Sequence, residues 1–118
     1  MMKITQMLSE IDFHDSIVTK IDYFPQENRL IIGVELCNWR QKIYKKGDPE
    51  ILLGSIIFKN VSRYQMDSSF VINENEILSI ELLTCQDTKE CIKLVLMGDV
   101  DVVVLIIEAE DVLWDIKV

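Results

Sequence analysis

His14 is the one histidine of the chain, so any acid–base or metal chemistry that needs an imidazole must run through it. It stands in Asp12-Phe13-His14-Asp15-Ser16. An extended backbone there would put Asp12, His14 and Ser16 on one face and Asp15 on the other. A serine nucleophile needs its base and the orienting acid in one chain of hydrogen bonds, drawn from distant segments in the known solutions, so these sequence neighbours are no triad. A metal site would take His14 and Asp12 and require a third ligand from elsewhere, and no second histidine or close cysteine pair is at hand for it. The reading favoured for His14 is structural, at the junction of a helix and a strand. A small enzyme or metal-binding protein centred on His14 is the alternative.

Other chemistry finds less support. Gly33, Gly47, Gly54 and Gly98 lie too far apart to build a phosphate-cradling loop. Cys37, Cys85 and Cys91 are odd in number and sit in apolar, strand-like segments, where thiols usually act as small hydrophobes. Cys85 and Cys91 could oppose each other across a hairpin centred on Thr88, which makes a disulfide sterically conceivable, but free thiols in a reducing cytoplasm are the expectation. No cofactor and no metal is expected.

Charge is distributed unevenly. Asp99, Asp101, Glu108, Glu110, Asp111 and Asp115 follow one another with no Lys or Arg among them, which predicts a negative field at the C-terminal end. Trp39, Arg40, Lys42, Tyr44, Lys45 and Lys46 form the opposite cluster, basic with interleaved aromatics. Such a segment can stack single-stranded bases, yet Trp, Tyr and Arg are also the residues that dominate protein interfaces. With 12 Lys+Arg against 20 Asp+Glu the net charge is −8, the wrong sign for nucleic acid, so a protein interface is preferred. The candidate partner-binding residues are Trp39, Arg40, Tyr44, Glu108, Glu110, Asp111 and Asp115. The bland alternatives are that Trp39 packs into the core and that the acids keep an edge strand from pairing with other molecules.

The elements that must position these residues follow from periodicity. Ile4, Met7, Leu8 and Ile11 are spaced for one face of a short helix. Period two then predicts strands over 17–24 and 30–37, joined at Pro25-Gln26-Glu27-Asn28. Residues 39–50 read as a loop closing on Gly47-Asp48-Pro49, and 51–58 as a strand buried on much of both faces. An irregular excursion is expected from Lys59 to Glu76, then strands at 77–85, 91–97 and 102–108, and a last half-exposed strand at 111–118. Connections this short exclude a parallel α/β sheet. The expected fold is mainly β, an antiparallel sheet curled into a sandwich or a partly open barrel with a short N-terminal helix, and a meander is the simplest strand order.

At 118 residues the chain has room for one domain, and folding would leave about 6,600 Å² exposed of roughly 20,000 Å² in the extended chain. Apolar residues make up 49% and charged residues 27%, which excludes a disordered or collagen-like chain. The N-terminus carries no apolar run of signal-peptide length, and the longest apolar run, 102–107, is far below the ~20 residues of a membrane span. A cytoplasmic location and no membrane partner are the expectation.

Phe13-His14-Asp15-Ser16, followed by an alternating strand, a short turn, a second strand and Cys37-Asn38-Trp39, resembles the opening of several families of small bacterial β-rich proteins. Some of these are uncharacterised, and others are similar to immunity proteins of polymorphic toxin systems, which bind and block a toxin domain. The likeness covers residues 12–39. It implies a role carried by a surface, so no catalytic residues transfer. The expected function is a non-enzymatic domain that binds another protein, a basic one by the charge argument, with a structural homodimer as a further alternative.

Overall fold

The computed structural model describes residues 2–66, 72–85 and 89–117. Helix α1 (Ile4–Glu10) is followed by strands β1 (Ile17–Phe24), β2 (Arg29–Cys37), β3 (Ile51–Met66), β4 (Asn75–Leu83), β5 (Glu90–Met97) and β6 (Val102–Ile116). All six strands belong to one antiparallel sheet in the order β1-β2-β3-β6-β5-β4, which closes on itself as a ring. The chain therefore makes two three-strand meanders joined side by side through β3 and β6, where a single meander was expected. The β1–β4 seam is short, pairing Ile17 with Glu76 and Val18 with Asn75.

The mainly β, curled antiparallel expectation holds, and so does the N-terminal helix. Too short to be stable alone, α1 buries Ile4 and Met7 completely in the core. Its start is fastened to the sheet where Met2 bridges Val112 and Lys3 Nζ donates to the Glu110 carbonyl. Thr5 Oγ1 adds a hydrogen bond to Glu90 Oε2 at 2.6 Å.

The core is the inner face of the ring. Leu30, Ile32, Val34 and Leu36 of β2, Ile92, Leu94 and Leu96 of β5, and Val103, Leu105 and Ile107 of β6 alternate inward as period two requires. On β3 and β6 the inward set changes phase at one paired point, passing from Phe58 to Val61 on β3 and from Val112 to Ala109 on β6, with Phe58 opposite Val112 and Val61 opposite Ala109. Asn60, at the step on β3, takes a left-handed conformation with φ 54°.

This phase change corrects two expectations. Residues 59–66 continue β3 instead of beginning an irregular excursion, and 102–108 and 111–116 are one uninterrupted strand. In each case a break in the alternation looked like the end of a strand. β6 also lies between β3 and β5, so its acids do not guard an edge. Ile51 and Leu53 face solvent at 45% and 55% exposure, so only the later part of 51–58 is covered on both faces. β4 begins at Asn75 and ends at Leu83, before Cys85. The expected turn at 86–89 falls largely outside the described residues, as does 67–71 of the expected excursion.

Candidate functional site

The segment from Asp12 to Ser16 is a turn and not extended strand, because Asp15 adopts φ 67°. Asp15 N donates to the Ile77 carbonyl and Ile77 N to the Ser16 carbonyl, tying the turn to β4. Ser16 is fully buried, and its Oγ accepts from Cys37 N at 3.0 Å. The turn brings His14 toward Asp15, with Nε2 3.4 Å from Oδ1, where extended geometry would have separated them. Asp12 Oδ1 accepts from His14 N, which closes the turn on its own side chain.

This turn holds the loop after β2. Arg40 lies between two carboxylates, donating from Nε to Asp12 Oδ2 at 3.2 Å and from Nη1 to Asp15 Oδ2 at 3.1 Å. Its guanidinium also sits 5.6 Å from the centre of the Trp39 ring. Gln41 completes the attachment, its Oε1 accepting from Asp12 N while its Nε2 donates to the carbonyls of Asp12 and Cys37. Arg40 is thus compensated by its neighbours and is not a free cation of a basic patch. Asn38 fixes the far end of the loop through Nδ2 to the Pro49 carbonyl, 2.8 Å.

Held this way, the loop exposes Trp39 at 49% and Ile43 at 84%. Trp39 is therefore not a core residue, while Tyr44 is half-buried. Beside the loop opens a groove of about 490 Å³ at the end of the ring. Its floor includes Leu36, Leu52, Trp114 and Ile116, and its walls include Ile11 from the end of α1 and Ile43 from the loop. Trp114 is steadied from within by Phe13, edge to face at 5.6 Å between ring centres.

The acidic candidates are strung out along β6. Asp115, paired with Ser55, is exposed near the groove. Glu108 lies seven residues back along β6, about 23 Å at ~3.3 Å per residue. Between them, Asp111 has Lys3 Nζ at 4.0 Å, and Glu110 is half-buried. The inward positions of β6 include Ile107, Ala109 and Val112, so Glu108, Glu110, Asp111 and Asp115 follow one another along the outward side of that strand.

Glu108 belongs to a different group of side chains. Ser62 Oγ donates to its Oε1, and the Cys85 thiol lies 3.5 Å from its Oε2. The Ser62 hydrogen bond holds the Glu108 carboxyl below the ordinary range despite partial desolvation. Desolvation, together with the Glu108 hydrogen bond, pushes the Cys85 thiol up to about 11. Cys91, buried at 4% exposure, completes the group. The three cysteines are free thiols. Sequence reasoning set Cys85 against Cys91 across a hairpin but had no means of adding Glu108, which arrives from another strand.

His14 and Asp12 line an open depression of about 360 Å³ with apolar neighbours from α1 and β4, including Leu8 and Ile77. Among the described residues His14 joins no cluster of three or more potential metal ligands. No helix among them is long and apolar enough to cross a membrane. Comparison of the chain with family models, with curated proteins and with solved structures found no match.

Proposed function

We propose that the chain is a non-enzymatic, cytoplasmic protein-binding domain whose partner is a cationic protein, in the manner of an immunity protein that blocks a toxin. The supporting observation is the apolar groove at the end of the ring with Trp39 and Ile43 exposed beside it on a loop clamped by Arg40 to Asp12 and Asp15. A concave apolar site edged by exposed aromatic and aliphatic side chains is the anatomy of an interface anchor. Loop residues fixed in advance lose little entropy on binding. The net charge of −8 supplies a field that draws in a basic partner and raises its encounter rate. Apolar contacts at the groove then hold the complex. Trp39 and Asp115 adjoin the lining residues Asn38 and Trp114, Arg40 fixes the loop that carries Trp39 and Ile43, and Glu108, Glu110 and Asp111 contribute to the field.

The test measures association with candidate basic partners by surface plasmon resonance, beginning with the product of the adjacent upstream gene. The on-rate is expected to fall by about tenfold or more between low and high salt. Ile43→Ala and Trp39→Ala are each expected to cost more than about 1 kcal/mol of affinity, mostly through faster dissociation. An on-rate indifferent to salt, or a complex indifferent to Ile43→Glu, would overturn the reading.

A further inference from the structure

We propose that Cys85, Cys91 and Glu108 form a binding site for a thiophilic divalent cation of the zinc class. The site shares no residue with the groove and does not depend on the protein-binding reading. One donor comes from just beyond β4, one from β5 and one from β6, and their ligand atoms all lie within 4.8 Å of one another. The sheet makes this juxtaposition. Cys91 is the registered partner of Glu108 on β6 and of Leu83 on β4, so the chain leaving β4 brings Cys85 back over both.

The spacing suits the chemistry. Tetrahedral zinc, with bonds of about 2.3 Å to sulfur and about 2.0 Å to oxygen, keeps a thiolate and a carboxylate oxygen about 3.5 Å apart. Cys85 Sγ and Glu108 Oε2 already stand at 3.5 Å. The Ser62 hydroxyl occupies the other carboxylate oxygen, Oε1, and so turns Oε2 toward the thiols, as an outer hydrogen bond orients a metal ligand elsewhere. Two thiolates and a carboxylate around a dication leave one negative charge, which Lys89 and Arg63 lie close enough to Glu108 to offset. A fourth position remains for water. Two sulfur donors favour a borderline or soft ion over calcium or magnesium.

The experiment uses the reduced full chain, cleared of metal, with zinc affinity read by competition against a chromophoric chelator and cobalt(II) as the spectroscopic probe. One ion per chain is expected, with a thiolate-to-cobalt charge-transfer band. Cys85→Ser and Cys91→Ser should remove the band, and Glu108→Gln should weaken binding. Ser62→Ala should weaken it by about tenfold or more. Cys37→Ser should leave it unchanged, because Cys37 lies with Ser16 and Asp15. Should the buried Cys91 variant fail to fold, Cys85→Ser at the half-buried position decides. Absence of zinc uptake, a cobalt spectrum without the thiolate band, or undiminished affinity in Cys85→Ser would overturn the proposal. So would a reduced chain that closes a Cys85–Cys91 disulfide in air without taking up metal.

Discussion

Gly54 lies against the indole of Trp114 across the β3–β6 pair. A methyl group in place of its α-hydrogen would come within 2.6 Å of Trp114 Cη2 and 2.7 Å of the Asp115 carbonyl oxygen. The absence of a side chain at Gly54 leaves room for the indole that lines the groove and meets the Phe13 ring in an edge-to-face pair.

Gly54→Ala should therefore destabilise the fold by about 1–3 kcal/mol, since one of the two contacting groups is backbone and cannot swing aside. Urea midpoints read the loss. Near-ultraviolet circular dichroism should show the indole leaving its ordered position, and an unchanged spectrum with unchanged stability would contradict the packing described.

Arg40→Ala should cost about 1 kcal/mol, because the pairs with Asp12 and Asp15 are partly exposed and screened. The loss should shrink in concentrated salt. Arg40→Lys should recover little, because a single ammonium cannot reproduce the fork that reaches two carboxylates. Thermal denaturation of the three proteins at two salt concentrations checks this.

Alkaline pH should erode stability. Burial raises the thiol of Cys37 and the phenol of Tyr64 above their ordinary values of 9.0 and 10.0, and desolvation pushes Cys85 to about 11. In each case the folded chain keeps a proton that the unfolded chain gives up earlier. The contribution is thus complete below about pH 9 and lost as pH rises through the folded values. Glu108 behaves oppositely, its contribution fading as pH falls through its lowered folded value. Urea midpoints of metal-free protein at pH 7, 9 and 10.5 should decline, and Cys85→Ser should decline less.

Asn60 holds its left-handed backbone where the inward alternation changes phase. Asn60→Gly should stay within about 0.5 kcal/mol of the parent, whereas Asn60→Val, β-branched in a left-handed conformation, should lose about 1–2 kcal/mol. Equal losses from both would mean that the asparagine side chain, and not the backbone, carries the position.

The first half of the fold was readable from residues in order, because α1 and β2 each keep one uninterrupted period, β1 alternates in sequence although its pairing with β2 slips once between Val18 and Lys20, and the turn at Pro25 is marked by residue type. β3 and β6 were not, since both shift phase at Asn60 and Ala109, and a lost period is indistinguishable in sequence from a lost strand. Strand order was equally hidden: nothing local says that β3 will find β6. The exposed Trp39 and Ile43 were partly legible, the first as an aromatic in a polar loop. Nothing local marks Ile43, and the groove it lines needs Ile11, Leu36 and Trp114 from separate elements. The Cys85–Cys91–Glu108 group failed to appear for the same reason.

The β1–β4 closure consists of two registered pairs and the hydrogen bonds of Asp15 and Ser16 with Ile77. Along the rest of both strands the amides have no mate in the other, so the molecule behaves like a bracelet fastened by a small clasp. Tension applied between β1 and β4 should undo that fastening before any other junction, leaving each triplet of strands intact. The turn that carries His14 is itself half of the clasp, which gives that segment a mechanical reason for its composition independent of any reaction.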